Sequence, residues 1–270
     1  MGQREATALA LLPLVLAGIV WLPPWVYLGA IWVVTLLAAW ELLLLLRLTS
    51  RLTLPIAVLL GIALALPVFW RLGLPAAGPL LASLVLTLPL VVLLSRHPIA
   101  GAAAATTGTV FVAVYLAITG GTMGYLRVAF PDALGWKVVL LHCLTIWAGD
   151  SGAYYVGTRF GRHRLAPRVS PKKSWEGVAG GTAATFFGVW VCRTLFFPEL
   201  PTVAGLGVAC MLSVLAPLGD LVESILKREA GVKDSSALIP GHGGFLDRTD
   251  SLYFAAPFTL ALLLALGFGA

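Results

Sequence analysis

A succession of apolar runs, each about 20 residues long, governs what this chain can fold into. A helix of about that length crosses the hydrocarbon core of a bilayer. Inside lipid every backbone N–H and C=O must find its partner within the protein, which leaves helical bundles and closed barrels. Barrel strands would alternate in polarity over about 10 residues, and no such alternation occurs. Hydrophobic residues make up 59% of the chain and charged ones 11%, against about 25% charged in soluble domains. The expected fold is therefore all-α, a polytopic transmembrane helical bundle forming a single integral-membrane domain over 1–270. Spans are expected over 8–22 and near 25–46, 54–70, 77–95, 100–120, 137–157, 174–197, 202–226 and 251–269, about nine in all. The first is read as a retained span, because Trp21-Leu-Pro-Pro-Trp25 offers no small-residue cleavage site.

Basic residues gather in alternate links. Arg47 and Arg51 lie in one, Arg96 in a second, and Arg159, Arg162, Arg164, Arg168, Lys172 and Lys173 in a third. Lys227, Arg228 and Lys233 occupy a fourth. In a nine-span chain all four fall on one side, which the positive-inside rule makes cytosolic, with the N-terminus inside and the C-terminus outside. The net charge of +6 suits anionic headgroups and nucleotides, and no nucleic-acid partner is expected. Cys143, Cys192 and Cys210 lie in apolar runs without ligand spacing and read as packing residues.

The charge that a membrane chain normally avoids is concentrated between Ser224 and Asp250. Lys227, Arg228, Lys233 and Arg248 are interleaved there with Asp234, Asp247 and Asp250, and Pro240-Gly-His242-Gly243-Gly244 forms a turn. Each charge at mid-bilayer costs about 2.5–3.5 kcal/mol on insertion scales. The stretch makes better sense as a wet site where acids hold a cation and bases hold phosphate, with glycines that let the backbone approach a ligand.

Other polar residues extend the pattern. Asp150 lies between Gly149 and Gly152 in an apolar span, which suggests a kink or a wet cavity. Asp220, Glu223, Ser224 and Lys227 share one helical stripe. Glu223 can pair with Lys227, whereas Asp220 lacks a basic partner one turn on and reads as a metal ligand. Asp247 and Asp250, three apart, aim together if helical, so Asp220, Asp247 and Asp250 can offer the hard oxygens that Mg²⁺ prefers. Ser174 is expected to cap a helix with Glu176 in its first turn, which puts Lys172 and Lys173 where a helix N-terminus favours anions. His142 reads as a satisfied core residue and Glu41 as an interfacial charge.

The run Ser224-x-Leu226-Lys227-Arg228, then Lys233-Asp234, then Pro240-x-His242-Gly243-Gly244, then Asp247-Arg248-x-Asp250 resembles the signature of phosphatidate cytidylyltransferases, the CDP-diacylglycerol synthases. The likeness extends to Trp147-Ala-Gly-Asp-Ser-Gly-Ala-Tyr154 and Ser170-Pro-Lys-Lys-Ser-Trp-Glu-Gly177. It covers roughly the C-terminal half, making 137–270 the catalytic half and 1–136 a mostly hydrophobic scaffold.

The resemblance implies transfer of a cytidylyl group from CTP to phosphatidate, giving CDP-diacylglycerol and pyrophosphate. It implies a divalent cation, Mg²⁺ or Mn²⁺, with Asp220 and Asp247 carried over as its ligands, and it leaves a second cation open. Asp150, Lys227, Arg228, Asp247 and Asp250 are the catalytic candidates. Lys172, Lys173, Ser174, Ser224, Lys233, Asp234, His242, Gly243, Gly244 and Arg248 are the substrate-binding ones. The expected partners are CTP, phosphatidate and membrane lipids, with a homodimer left open. The expected location is the inner (plasma) membrane, multi-pass, with a polar cavity at the cytosolic edge. A CTP-dependent lipid or polyprenol kinase and a cation-coupled transporter are the alternative readings.

Overall fold

The computed structural model of the chain describes residues 13–95, 97–239 and 243–268. Among these, nine helices run in order: α1 over 13–21, α2 Pro24–Leu45, α3 Thr53–Leu72, α4 Leu74–Leu94, α5 Ala102–Tyr125, α6 Asp132–Phe160, α7 Trp175–Leu195, α8 Thr202–Glu229 and α9 Leu246–Ala265. Each falls on a run expected to be a span. Arg96 lies outside the described residues, as does the first part of the first expected span. Helices α2, α3, α4, α5 and α8 are long and apolar enough to cross a membrane, which makes this a multi-pass membrane protein. Helices α6, α7 and α9 do not reach the same hydropathy. Asp150, Asp247 and Asp250 and many small residues lie in them.

Local chemistry sets several boundaries. Pro24 opens α2 at a position where a missing N–H costs nothing. Gly73, with φ +72°, is the single residue between α3 and α4, in a conformation that a side chain would strain. Ser174 caps α7 as expected, its Oγ accepting from the Gly177 N–H at 3.1 Å.

The link from α6 to α7 departs from an all-α fold. It folds into an antiparallel hairpin, β1 Arg164–Ala166 against β2 Ser170–Ser174. A polar, proline-containing stretch shows too little alternation to announce strands. The pairing follows from its ends, which the packed helices hold together. Glu176 adds a clamp, accepting from the backbone N–H groups of Arg162 at 3.1 Å and His163 at 3.2 Å.

Helices α6 and α7 form the most extensive helix pair in the molecule. Small residues let membrane helices approach closely, and glycines line this seam. A Cβ at Gly152 would lie 2.5 Å from Ala184 Cβ and 2.7 Å from Gly180 O, and one at Gly181 would lie 2.9 Å from Gly149 O. Helix α6 runs unbroken through Asp150, with the neighbouring glycines in close packing and Asp150 on a cavity wall, the second of the two alternatives that they suggested. Gly152→Leu should therefore lower the melting temperature in detergent, since overpacking a tight seam costs about 1–3 kcal/mol or more. Gly29→Leu is the control, because a Cβ there meets nothing within 4 Å. Equal melting temperatures for the two variants would remove the seam as a determinant of stability.

His142 is fully buried and bonded to Thr259 Oγ1 at 3.0 Å and to the Leu252 carbonyl at 2.9 Å, a satisfied core residue as read. Cys143 and Cys192 are buried. Cys210 is not: it lies exposed on α8, where a small apolar side chain is tolerated against lipid.

Candidate active site

A cavity of about 520 Å³ opens between α6, the hairpin, α7, α8, the link after α8 and the start of α9. Its walls carry Asp150, Lys172, Lys173, Ser174, Asp220, Ser224, Lys227, Arg228, Lys233, Asp234, Asp247, Arg248 and Asp250. Residues separated by up to about a hundred positions in sequence thus reach one space. Gly243 and Gly244 do not line it and stand behind Asp247 instead. His242 lies outside the described residues.

Helix α8 supplies one wall through its stripe. Ser224 Oγ donates to Asp220 Oδ1 at 3.2 Å, one turn apart. Asp220 does have a basic partner, though not on its own helix: Lys173, from the hairpin, approaches its Oδ2 at 2.7 Å and donates to the Pro217 carbonyl at 3.2 Å. Lys227 is buried and serves two acids, Asp247 at 2.6 Å and Glu223 at 3.2 Å. A weak exposed i,i+4 pair would be worth about 0.3–0.5 kcal/mol. This one is buried, with the Glu223 side chain 3% exposed, so that figure does not describe it. The Lys227 approach is an ion pair without hydrogen-bond geometry, and neither Glu223 oxygen has a hydrogen-bond partner among the described residues. Arg228 turns to backbone, donating from Nε to the Val169 carbonyl at 3.1 Å and from Nη1 to the Val232 carbonyl at 3.0 Å. It thereby staples the hairpin turn to the end of α8.

Helix α9 supplies Asp247 and Asp250. Asp247 Oδ1 accepts from Lys227, while Oδ2 accepts from Ser235 N at 2.7 Å, Ser235 Oγ at 2.8 Å and Gly244 N at 2.8 Å. Gly243 has φ +79°, and a Cβ there would come within 2.6 Å of Asp247 Oδ2, so glycine is needed both for the turn and for the approach. Asp250 Oδ1 accepts from Ser251 N at 2.6 Å, and Ser251 Oγ donates to the Ala216 carbonyl at 2.9 Å, pinning α9 to α8.

The three acids expected to share a cation do not form a ready-made cage. Among the described residues no group of three His, Cys, Asp or Glu side chains is close enough to hold a metal ion. Asp247 is occupied by its four donors.

One residue that matters here escaped the sequence reading. Glu41, expected at the interface, is instead fully buried and bonded to the link that carries Asp247. Ser235 joins both carboxylates. An acid inside an apolar run was the available signal for Glu41, since the membrane makes such a charge costly.

The described residues thus form a multi-pass helical protein with a polar cavity in which bases face acids. Residues 2–266 match the model of the Cytidylyltransferase family, and the chain belongs to that family. It is similar to the phosphatidate cytidylyltransferase of Bacillus subtilis, 41% identical over 139 residues, 52% of each chain. It is also similar to that of Pseudomonas aeruginosa, 46% identical over 143 residues, again 52% of each chain. The Haemophilus influenzae protein of the same name is 48% identical over 130 residues, 46% of this chain and 44% of that one. The chain thus spans about half the length of the curated relatives it matches.

Proposed function

We propose that the chain transfers the cytidylyl group of CTP to phosphatidate, forming CDP-diacylglycerol and releasing pyrophosphate. The observation that carries this reading is a cavity that gathers the signature bases and acids from three helices, the hairpin and the link after α8. In the reaction a phosphate oxygen of the lipid attacks the α-phosphorus of CTP. That P–O bond forms as the bond to the β-phosphate breaks, and pyrophosphate leaves with the electron pair. The attacking phosphate is already ionised at neutral pH, so the site needs no general base. It must instead offset repulsion between two anions and position them.

Lys172, Lys233 and Arg248 face the cavity and make no ion pair among the described residues, which leaves them available to hold the phosphates. Lys173 can join them by exchanging Asp220 for substrate. Ser174 is engaged in capping α7 and supports the hairpin beneath these bases.

The carboxylates supply the hard oxygens that a divalent cation takes, though not pre-gathered into a cage among the described residues. Asp150, Asp220, Asp247 and Asp250 line the space with Glu223 buried beside Lys227, yet Lys173 and Lys227 are the bases paired to them among the described residues. Asp220 and Asp250 would hold such an ion, with Asp247 as a further ligand if it gives up a donor. Bound there, Mg²⁺ would neutralise phosphate charge, including that building on the pyrophosphate.

The cavity would sit at the cytosolic edge of the inner membrane, where soluble CTP and an acyl-anchored lipid can both arrive. All nine helices would then complete the bundle, with the first half as scaffold. Purified protein given labelled CTP, phosphatidate and Mg²⁺ should yield a lipid-soluble cytidine product and pyrophosphate. Release of CDP instead would make the protein a kinase and overturn the reading.

Lys173→Ala should raise the KM for CTP about tenfold, as expected for one lost charge-assisted contact, with the membrane topology unchanged. Unchanged kinetics together with an altered orientation of the 161–174 link would assign Lys173 to topology alone.

A further inference from the structure

We infer that Glu41, from α2 in the scaffold half, is a positioning residue of this site, holding the link that orients Asp247. The inference rests on the reaction proposed above. Glu41 is 0% exposed. Four donors lie within hydrogen-bond reach of its carboxylate, Ser235 Oγ at 2.9 Å (a hydroxyl also within reach of Asp247), Ser236 Oγ at 2.7 Å, Phe245 N at 3.1 Å and Leu246 N at 2.8 Å. No Lys or Arg among the described residues pairs with it. All four donors belong to the link and the first residues of α9, about two hundred positions away in sequence.

The chemistry of those donors explains the arrangement. Phe245 and Leu246 lie at the N-terminus of α9, where the first N–H groups have no partner within the helix. A carboxylate there satisfies them and complements the helix dipole. Gly244 leaves the room, because a Cβ at that position would collide with both Glu41 oxygens and with Ser235 Oγ. Asp247 follows Leu246 directly, and Ser235 Oγ lies between Glu41 Oε2 at 2.9 Å and Asp247 Oδ2 at 2.8 Å. A hydroxyl has one proton to donate, so Ser235 serves one carboxylate at a time and couples them. Glu41 does not line the cavity. It acts through Ser235 and the α9 terminus on Asp247, and through Asp247 on Lys227.

The test compares wild type, Glu41→Gln, Ser235→Ala and the double variant in detergent. Turnover is measured per folded molecule, and amide exchange is followed over residues 243–250. Glu41→Gln should lower kcat on the order of 10²-fold, as a misplaced group does, while the KM for CTP stays within about threefold. Exchange at 245–247 should quicken. Because the two residues act in series, the double variant should lose less than the product of the single losses. Gly244→Ala, which displaces the carboxylate without removing it, should reproduce the fall in kcat and the faster exchange, and serves if Glu41→Gln does not fold. Unchanged kcat per folded molecule, or multiplicative losses, would make Glu41 a structural residue only. If wild type makes no lipid-soluble cytidine product, the reaction reading fails by itself. Exchange at 245–247 then still decides the anchoring: faster in the variants supports it, and unchanged overturns it.

Discussion

The Asp247→Asn variant is expected to insert and fold, and to turn over CTP at least about 100-fold more slowly, a loss of about 2.7 kcal/mol in the transition state. The carboxylate meets four donors: Lys227 Nζ, Ser235 N, Ser235 Oγ and Gly244 N. An amide has one oxygen and an NH₂ group, so whichever way it turns, one side sets donor against donor. The variant also removes the charge that holds Lys227 and a ligand that the cation could recruit. The check is the yield of lipid-soluble cytidine product per folded molecule, with helical content and elution volume as controls. Near-normal turnover in a folded Asn variant would take Asp247 out of the site.

Lys227→Met should affect both stability and turnover. The ammonium lies between Asp247 at 2.6 Å and Glu223 at 3.2 Å, with its own side chain 9% exposed. Removing one partner of a buried ion pair costs about 3–5 kcal/mol, because the remaining charge is left uncompensated. Two carboxylates are left here, and one of them, Glu223, has no hydrogen-bond donor to fall back on among the described residues. Melting in detergent should fall by several degrees and turnover should drop below detection. Adding Glu223→Gln to Lys227→Met should recover part of the stability without restoring turnover, since the stranded charge is gone but Asp247 remains unpaired. A single variant as stable and as active as wild type would show that Lys227 neither balances the acids nor shapes the site.

Local information carried much of this protein. Apolar runs of about 20 residues marked the helices, because a membrane span is a matter of length and transfer free energy along contiguous chain. The Ser174 cap and the helical stripe Asp220–Ser224–Lys227 were legible for the same reason, since caps and i,i+4 neighbours lie within a turn. The signature between Ser224 and Asp250, with Asp150 and Lys172–Lys173, pointed to one site, and its described side chains do line one cavity. Tertiary packing set what those side chains do there. Lys173 crosses from the hairpin to Asp220, Arg228 is drawn to the Val169 carbonyl, and Asp247 is filled by Ser235 and Gly244. Glu41 reached Ser235 and Leu246 across about two hundred residues. No periodicity or spacing encodes such pairings. A buried carboxylate takes whichever donors the assembled helices bring within about 3 Å, and that depends on the fold of the whole chain.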